Sequence, residues 1–221
     1  MNINEEPLNY EQKCLCVLVL DTSGSMRGEK IEKLNLGLKQ FQEELLKDPV
    51  SRDRLEVSIV SFGKDINVIQ EPMALTEFAM PELSCFGNTR IIPGIRKAIE
   101  IVAERKKYYK YHGLSYYRPW IVTMTDGRPN GGQPIDRMAQ EIAQAHKEKA
   151  YTFMALGVGD DVDMEVLKRL SVPDFPPMHL EATKFIEFFL WLSSSISAVT
   201  KSFDGEFIMQ DPSSWLTVMS R

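Results

Sequence analysis

The chain has 221 residues, 43% of them hydrophobic, which suits one large α/β domain or two small ones and excludes a chain disordered by composition. Its 26 basic and 31 acidic residues leave a formal net charge of -5, which argues against the concentrated basic surface of a nucleic-acid binder. No run approaches the roughly 18 uninterrupted apolar residues of a membrane span, the opening Met1-Asn2-Ile3-Asn4-Glu5-Glu6 is too polar for a secretory signal, and three cysteines that cannot all pair read as reduced thiols of a cytoplasmic protein.

Residues 1–12 form an N-terminal extension. The first apolar run, residues 14–20, shows no polar–apolar alternation, and neither do residues 55–62, 120–124 and 151–158. Strands buried on both faces have this pattern, as in a parallel sheet covered by helices. After the first run, Ile31, Leu34, Leu38, Phe41 and Leu45 recur at helical steps. Residues 66–69 follow Gly63-Lys64-Asp65 closely enough to pair antiparallel with the second run. The second helix carries Ile95, Ala98, Ile99 and Val102, with Pro93 in its first turn. The cationic and aromatic stretch 104–111 ends it and reads as a solvated helix end. A third helix carries Ile135, Met138, Ala139, Ile142 and Ala145. A short one follows Asp163, and Asp160, Asp161 and Asp163 read as its solvated N-terminus, since they lack the spacing of a calcium loop. The last helix carries Phe185, Phe188, Phe189, Leu192, Ile196 and Val199, and residues 201–221 read as a tail. The body of the fold is then residues 13–200. The alternation of elements implies a Rossmann-like, doubly wound α/β sheet, mostly parallel with one antiparallel edge strand and flanked by helices.

Such sheets bind ligands beyond the carboxyl ends of their strands. After the first strand comes Asp21-Thr22-Ser23-Gly24-Ser25. In an extended segment Asp21, Ser23 and Ser25 point the same way, and Gly24 allows a sharp turn. One carboxylate and two hydroxyls suit a hard cation such as magnesium or manganese. Asp126 ends the strand at 120–124 within Thr125-Asp126-Gly127, and Thr89 adds a hydroxyl before the second helix. Taken singly, these are also ordinary turn and cap residues: Ser25 could cap the first helix and Thr89 the second.

As a set, Asp-x-Ser-x-Ser, a threonine after Gly-x, and Thr-Asp-Gly after a strand resemble the metal-ion-dependent adhesion site of von Willebrand factor A domains, over roughly residues 13–199. The resemblance implies that Ser23, Ser25 and Thr89 contact a metal directly or through water, while Asp21 and Asp126 hold its waters. The ion would be Mg2+, with Mn2+ or Ca2+ as alternatives. Neutral direct donors leave it electrophilic, with a position for an Asp or Glu carboxylate of a protein partner. The implied function is a non-enzymatic, metal-dependent protein-binding module, whose last helix moves with binding in animal members of the family. The stretches 115–120 and 188–193 resemble the family's bacterial tellurium-resistance-type branch, which implies a tellurite or stress-response setting.

Two other readings stay open. One is a metal-assisted phosphoester hydrolase. However, Ser23 stands where such a loop places its second carboxylate, and no histidine or lysine is evidently placed as acid or base. The other is a scaffold with a vestigial metal site. His112, His146 and His179 form no catalytic or zinc pattern, and Gly157-Val158-Gly159 lacks the third glycine of a dinucleotide fingerprint, with Val162 there instead.

Overall fold

In the computed structural model, which describes residues 3–181 and 183–202, the unalternating apolar runs become the middle of one sheet. They are β1 (Cys14–Asp21), β2 (Leu55–Phe62), β4 (Trp120–Thr125) and β5 (Thr152–Val158), and every residue in them is buried. The sheet has the order β3-β2-β1-β4-β5-β6, with β3 (Ile66–Ala74) antiparallel and the remaining pairs parallel. Flanking it are α1 (Glu29–Lys47), α2 (Pro49–Arg54), α3 (Ile91–Tyr111), α4 (Ile135–Lys147), α5 (Met164–Leu170) and α6 (Phe185–Lys201). The expected class and strand directions hold.

The departures have local causes. β3 continues five residues past Ile69, through Gln70-Glu71-Pro72-Met73-Ala74. Proline interrupts a central strand but is tolerated at a sheet edge, where one side needs no ladder bond. The pairing slips twice along the way, between Val57 and Val60. Two elements lie outside the expectations. β6 (Met178–Leu180) has three residues, too few for a pattern. α2 has six, and it forms because Asp48 caps the Val50 amide and Pro49 presets the first turn.

The stretch 104–111 differs in kind. Glu104, Lys107, Lys110 and Tyr111 are exposed, as a solvated helix end requires, but Tyr108 and Tyr109 are buried. The Arg105 guanidinium donates to both carboxylate oxygens of Glu56 on β2, at 2.5 and 2.6 Å, and the Tyr109 hydroxyl donates to Glu56 at 2.7 Å. Half of this cationic, aromatic run therefore locks α3 onto the sheet. The Arg105 guanidinium also lies 4.1 Å over the Tyr108 ring. Tyr108 in turn donates to the Glu5 carbonyl, so the leading residues lie against the end of α3.

All three cysteines are buried and free, and burial pushes the Cys14 thiol up to about 12, which makes it inert. Among the described residues no helix is long and apolar enough to cross a membrane. The last helix runs to Lys201, and the rest of the expected tail, residues 203–221, lies outside the described residues.

Candidate metal centre

The site begins with strand register. β1 and β4 are neighbours, with Leu20 beside Met124, so Asp21 and Thr125 end their strands at one height. The Thr125 hydroxyl donates to Asp21 Oδ2 at 2.5 Å, and the Ser23 amide donates to Asp21 Oδ1 at 2.8 Å. Both oxygens of Asp21 are thus held from within the chain, and the side chain is fully buried. Burial pushes its carboxyl above the usual range; bonds from Ser23 and Thr125 work against that, and the Asp126 charge adds to it.

Beyond Asp21 the chain stays extended at Ser23 and then tightens into one 3-10 turn, Gly24–Met26. This brings the two serine hydroxyls to 3.0 Å from each other. Ser25 Oγ donates to Asp126 Oδ1 at 2.7 Å, so Ser23, Ser25 and Asp126 form one continuous chain of hydrogen bonds. Asp126 is buried at the turn after β4.

Thr89 arrives from a third direction. The Gly24 amide donates to the Gly87 carbonyl at 3.0 Å, which ties the serine loop to the segment before α3. Asn130 and Gln133 clamp the Thr89 backbone: Asn130 Oδ1 accepts from its amide at 2.7 Å, and Gln133 Nε2 donates to its carbonyl at 3.0 Å. A Cβ at Gly127 would lie 3.1 Å from Thr89 Oγ1 and 3.6 Å from Ser25 Oγ. Both hydroxyls therefore border the Gly127 position, where a side chain would crowd Thr89 and touch Ser25 at ordinary contact distance.

All five expected residues are therefore neighbours. The capping alternative fails. Gly28 stands at the N-cap of α1 and Arg90 at that of α3, with no side-chain cap bond at either. Asp163 does cap α5, through the Val166 amide, as its solvated-terminus reading expected. The histidines bond elsewhere: His112 to the Ile3 carbonyl, His146 to Asp174 and His179 to the Gly159 carbonyl.

One correction concerns lysine. No lysine was expected at the site, yet Lys30 Nζ reaches Asp126 Oδ2 at 2.5 Å. It comes from the first turn of α1, and a Cβ at Gly159 would lie 3.8 Å from Nζ. A signal was present in the sequence. A cation in a helix's first turn opposes the helix dipole, so Lys30 between Glu29 and Glu32 calls for another reason. Asn130 and Gln133 were also missed, because they act through the backbone of Thr89.

The donors gathered here are three hydroxyls and two carboxylates. An all-oxygen set of this kind fits magnesium or manganese and disfavours softer ions. Among the described residues no group of three or more His, Cys, Asp or Glu side chains converges. Beside the serine loop opens a cleft of about 380 Å³ lined by Thr22, Lys64, Asp65, Glu82 and Phe86, the last 68% exposed.

A family model described as von Willebrand factor type A domain matches residues 16–187. Among curated proteins, inter-alpha-trypsin inhibitor heavy chain H3 of Mesocricetus auratus is 25% identical over 158 residues, 71% of this chain and 18% of its own length. Inter-alpha-trypsin inhibitor heavy chain H6 of Homo sapiens is 29% identical over 167 residues, 71% of this chain and 12% of its own length. The chain thus spans less than a fifth of these relatives. Among solved structures, the vWF domain of the type V pili tip protein Mfa5 from Porphyromonas gingivalis superposes with a TM-score of 0.63 at 12% identity, covering 87% of this chain and 97% of that one. The pilus adhesin SpaC from Lactobacillus rhamnosus GG gives 0.66 at 14% identity, covering 86% and 31%. These relatives lend no support to the tellurium-resistance-type branch. Within the stretches 115–120 and 188–193 that carried that likeness, Trp120, Phe188 and Phe189 are buried core residues.

Proposed function

The chain belongs to the von Willebrand factor type A domain family, and from that premise we propose that it is a non-enzymatic protein-binding module working through a divalent ion at Asp21, Ser23, Ser25, Thr89 and Asp126. The observation that carries this reading is the hydrogen-bonded chain Ser23–Ser25–Asp126, with the Thr89 hydroxyl facing it across Gly127. Ser23, Ser25 and Thr89 would hold Mg2+, or Mn2+ or Ca2+ in its place, and the two aspartates would orient its waters. When bound, the ion supplies an electrophilic position for a carboxylate. The chain's own residues set the geometry: Thr125 and the Ser23 amide fix Asp21, and Asn130 and Gln133 fix Thr89.

The partner offers an Asp or Glu, and its flanking residues settle in the cleft beside Phe86. Solved proteins of the same fold include a pilus adhesin and a pilus tip protein, which supports a binding role. The buried, unpaired thiols support a cytoplasmic setting. A place in a tellurite or stress response rests on the sequence resemblance alone. Hydrolysis is disfavoured: Lys30 is engaged with Asp126, and each histidine bonds away from the site. Titration with Mn2+ followed by electron paramagnetic resonance tests the reading. We expect one bound ion per chain, lost on Thr89→Val together with Ser25→Ala. A folded wild type that leaves all Mn2+ free would refute it.

A further inference from the structure

The ion pair of Lys30 with Asp126 is an unusual thing to build beside a cation site. The Asp126 side chain is fully buried and that of Lys30 is 25% exposed, so water screens the pair only in part. Lys30 reaches Asp126 from the first turn of α1 and passes close to Gly159, where a Cβ would lie 3.7 Å from Lys30 Cε and 3.8 Å from Nζ. The oxygens of Asp126 are divided: Oδ1 takes the Ser25 hydroxyl and Oδ2 takes Lys30. The lysine therefore leaves the oxygen that faces the hydroxyl donors to them.

This division has an electrostatic consequence. Asp21 and Asp126 alone would balance the charge of a divalent ion, so an incoming carboxylate would be drawn by the ion's open position but by no surplus charge. With Lys30 in place, the loaded site keeps one positive charge, which one carboxylate cancels. The same ammonium repels the metal itself. We infer that Lys30 sets the partner chemistry of the site: it weakens the hold on the cation and strengthens the hold on a singly charged carboxylate. The inference rests on the metal-binding reading above. It assigns a role to a residue outside the five donors, and it requires two effects of opposite sign from one substitution.

The test uses the full chain as wild type, Lys30→Met and Lys30→Arg, with Lys30→Gln as a second neutral variant and a thermal melt for each. Mn2+ affinity is read by electron paramagnetic resonance. Acetate affinity for the Mn2+-loaded protein is read by water proton relaxation, at constant ionic strength with chloride as the control. A unit charge removed at this range, in a partly buried site, shifts each equilibrium on the order of tenfold. Lys30→Met and Lys30→Gln should bind Mn2+ about tenfold more tightly and acetate about tenfold more weakly, and Lys30→Arg should match wild type in both. Unchanged or weaker Mn2+ binding in the folded neutral variants, unchanged acetate binding, or an Arg variant that behaves like Met would overturn the role of Lys30 and leave the metal site standing. A wild type that binds no Mn2+ would overturn both.

Discussion

At the scale of single residues, the site is a problem of crowding solved by one glycine. Thr89 Oγ1 and Ser25 Oγ both approach the space where a residue 127 side chain would begin. Gly127→Ala removes no donor, yet its methyl would press on the Thr89 hydroxyl at 3.1 Å. We expect it to weaken Mn2+ binding, while the melting temperature changes little because Gly127 itself is only half-buried. Thr89→Val keeps the shape and deletes the hydroxyl, so calorimetry should show Mn2+ affinity reduced by roughly tenfold or more with folding intact. That Asp21, Ser23, Ser25, Thr89 and Asp126 lie together was legible in the sequence because each follows a strand or precedes a helix, where an α/β sheet gathers side chains. Lys30 was legible only as a cation set against the dipole of α1, and its partner was not. Its meaning depends on where α1 begins and on the end of β5, which is distant in sequence.

At the scale of elements, α1 and α6 pack with almost no gap. A Cβ at Gly37 would lie 2.7 Å from Phe189 Cδ2 and 3.2 Å from the Phe185 carbonyl oxygen. Gly37→Ala gains about 1 kcal/mol in helix propensity but overpacks the seam at a cost of about 1–3 kcal/mol. Urea denaturation should therefore show net destabilisation. α2 is clasped to α6: the Ser51 and Ser197 hydroxyls lie 2.9 Å apart, and Lys201 pairs with Asp48 at 2.9 Å. Partial burial works to raise the Asp48 carboxyl, but bonds from Lys201, Ser197 and Ser51 outweigh it and hold it below its ordinary 3.8. A depressed acid stabilises the fold above its unfolded value and loses that contribution as pH falls through the folded one. Wild type should thus lose more stability than Asp48→Asn when pH is lowered below about 4; parallel losses would exclude the clasp as the cause. The long helices and buried strands were legible from periodicity and length. α2, β6 and the far half of β3 were not, because a six-residue cap, a three-residue bridge and a proline-bearing edge have no period to read.

At the scale of the whole molecule, two polar centres sit at opposite ends of the sheet. Glu56, with Arg105 and Tyr109, lies near the start of β2, while Phe62 at its end receives the Thr22 amide beside the turn that carries Ser23 and Ser25. Six steps along the strand separate them, about 20 Å. Sites that far apart act additively. Glu56→Ala takes the shared carboxylate from Arg105 and Tyr109 deep in the fold, so it should cost about 3 kcal/mol or more in denaturant titration. It should leave Mn2+ affinity unchanged under conditions where it folds. A loss of metal binding in folded Glu56→Ala would mean the two ends communicate.

The central claim is that this chain carries a working divalent-ion site made of hydroxyls and buried aspartates. Calorimetric titration of Mg2+ into wild type and Ser25→Ala tests it most directly. We expect one site in the wild type and at least roughly tenfold weaker binding in Ser25→Ala, with equal melting temperatures. A folded wild type that takes up no Mg2+, Mn2+ or Ca2+, or a Ser25→Ala variant that binds as tightly as wild type, would contradict it.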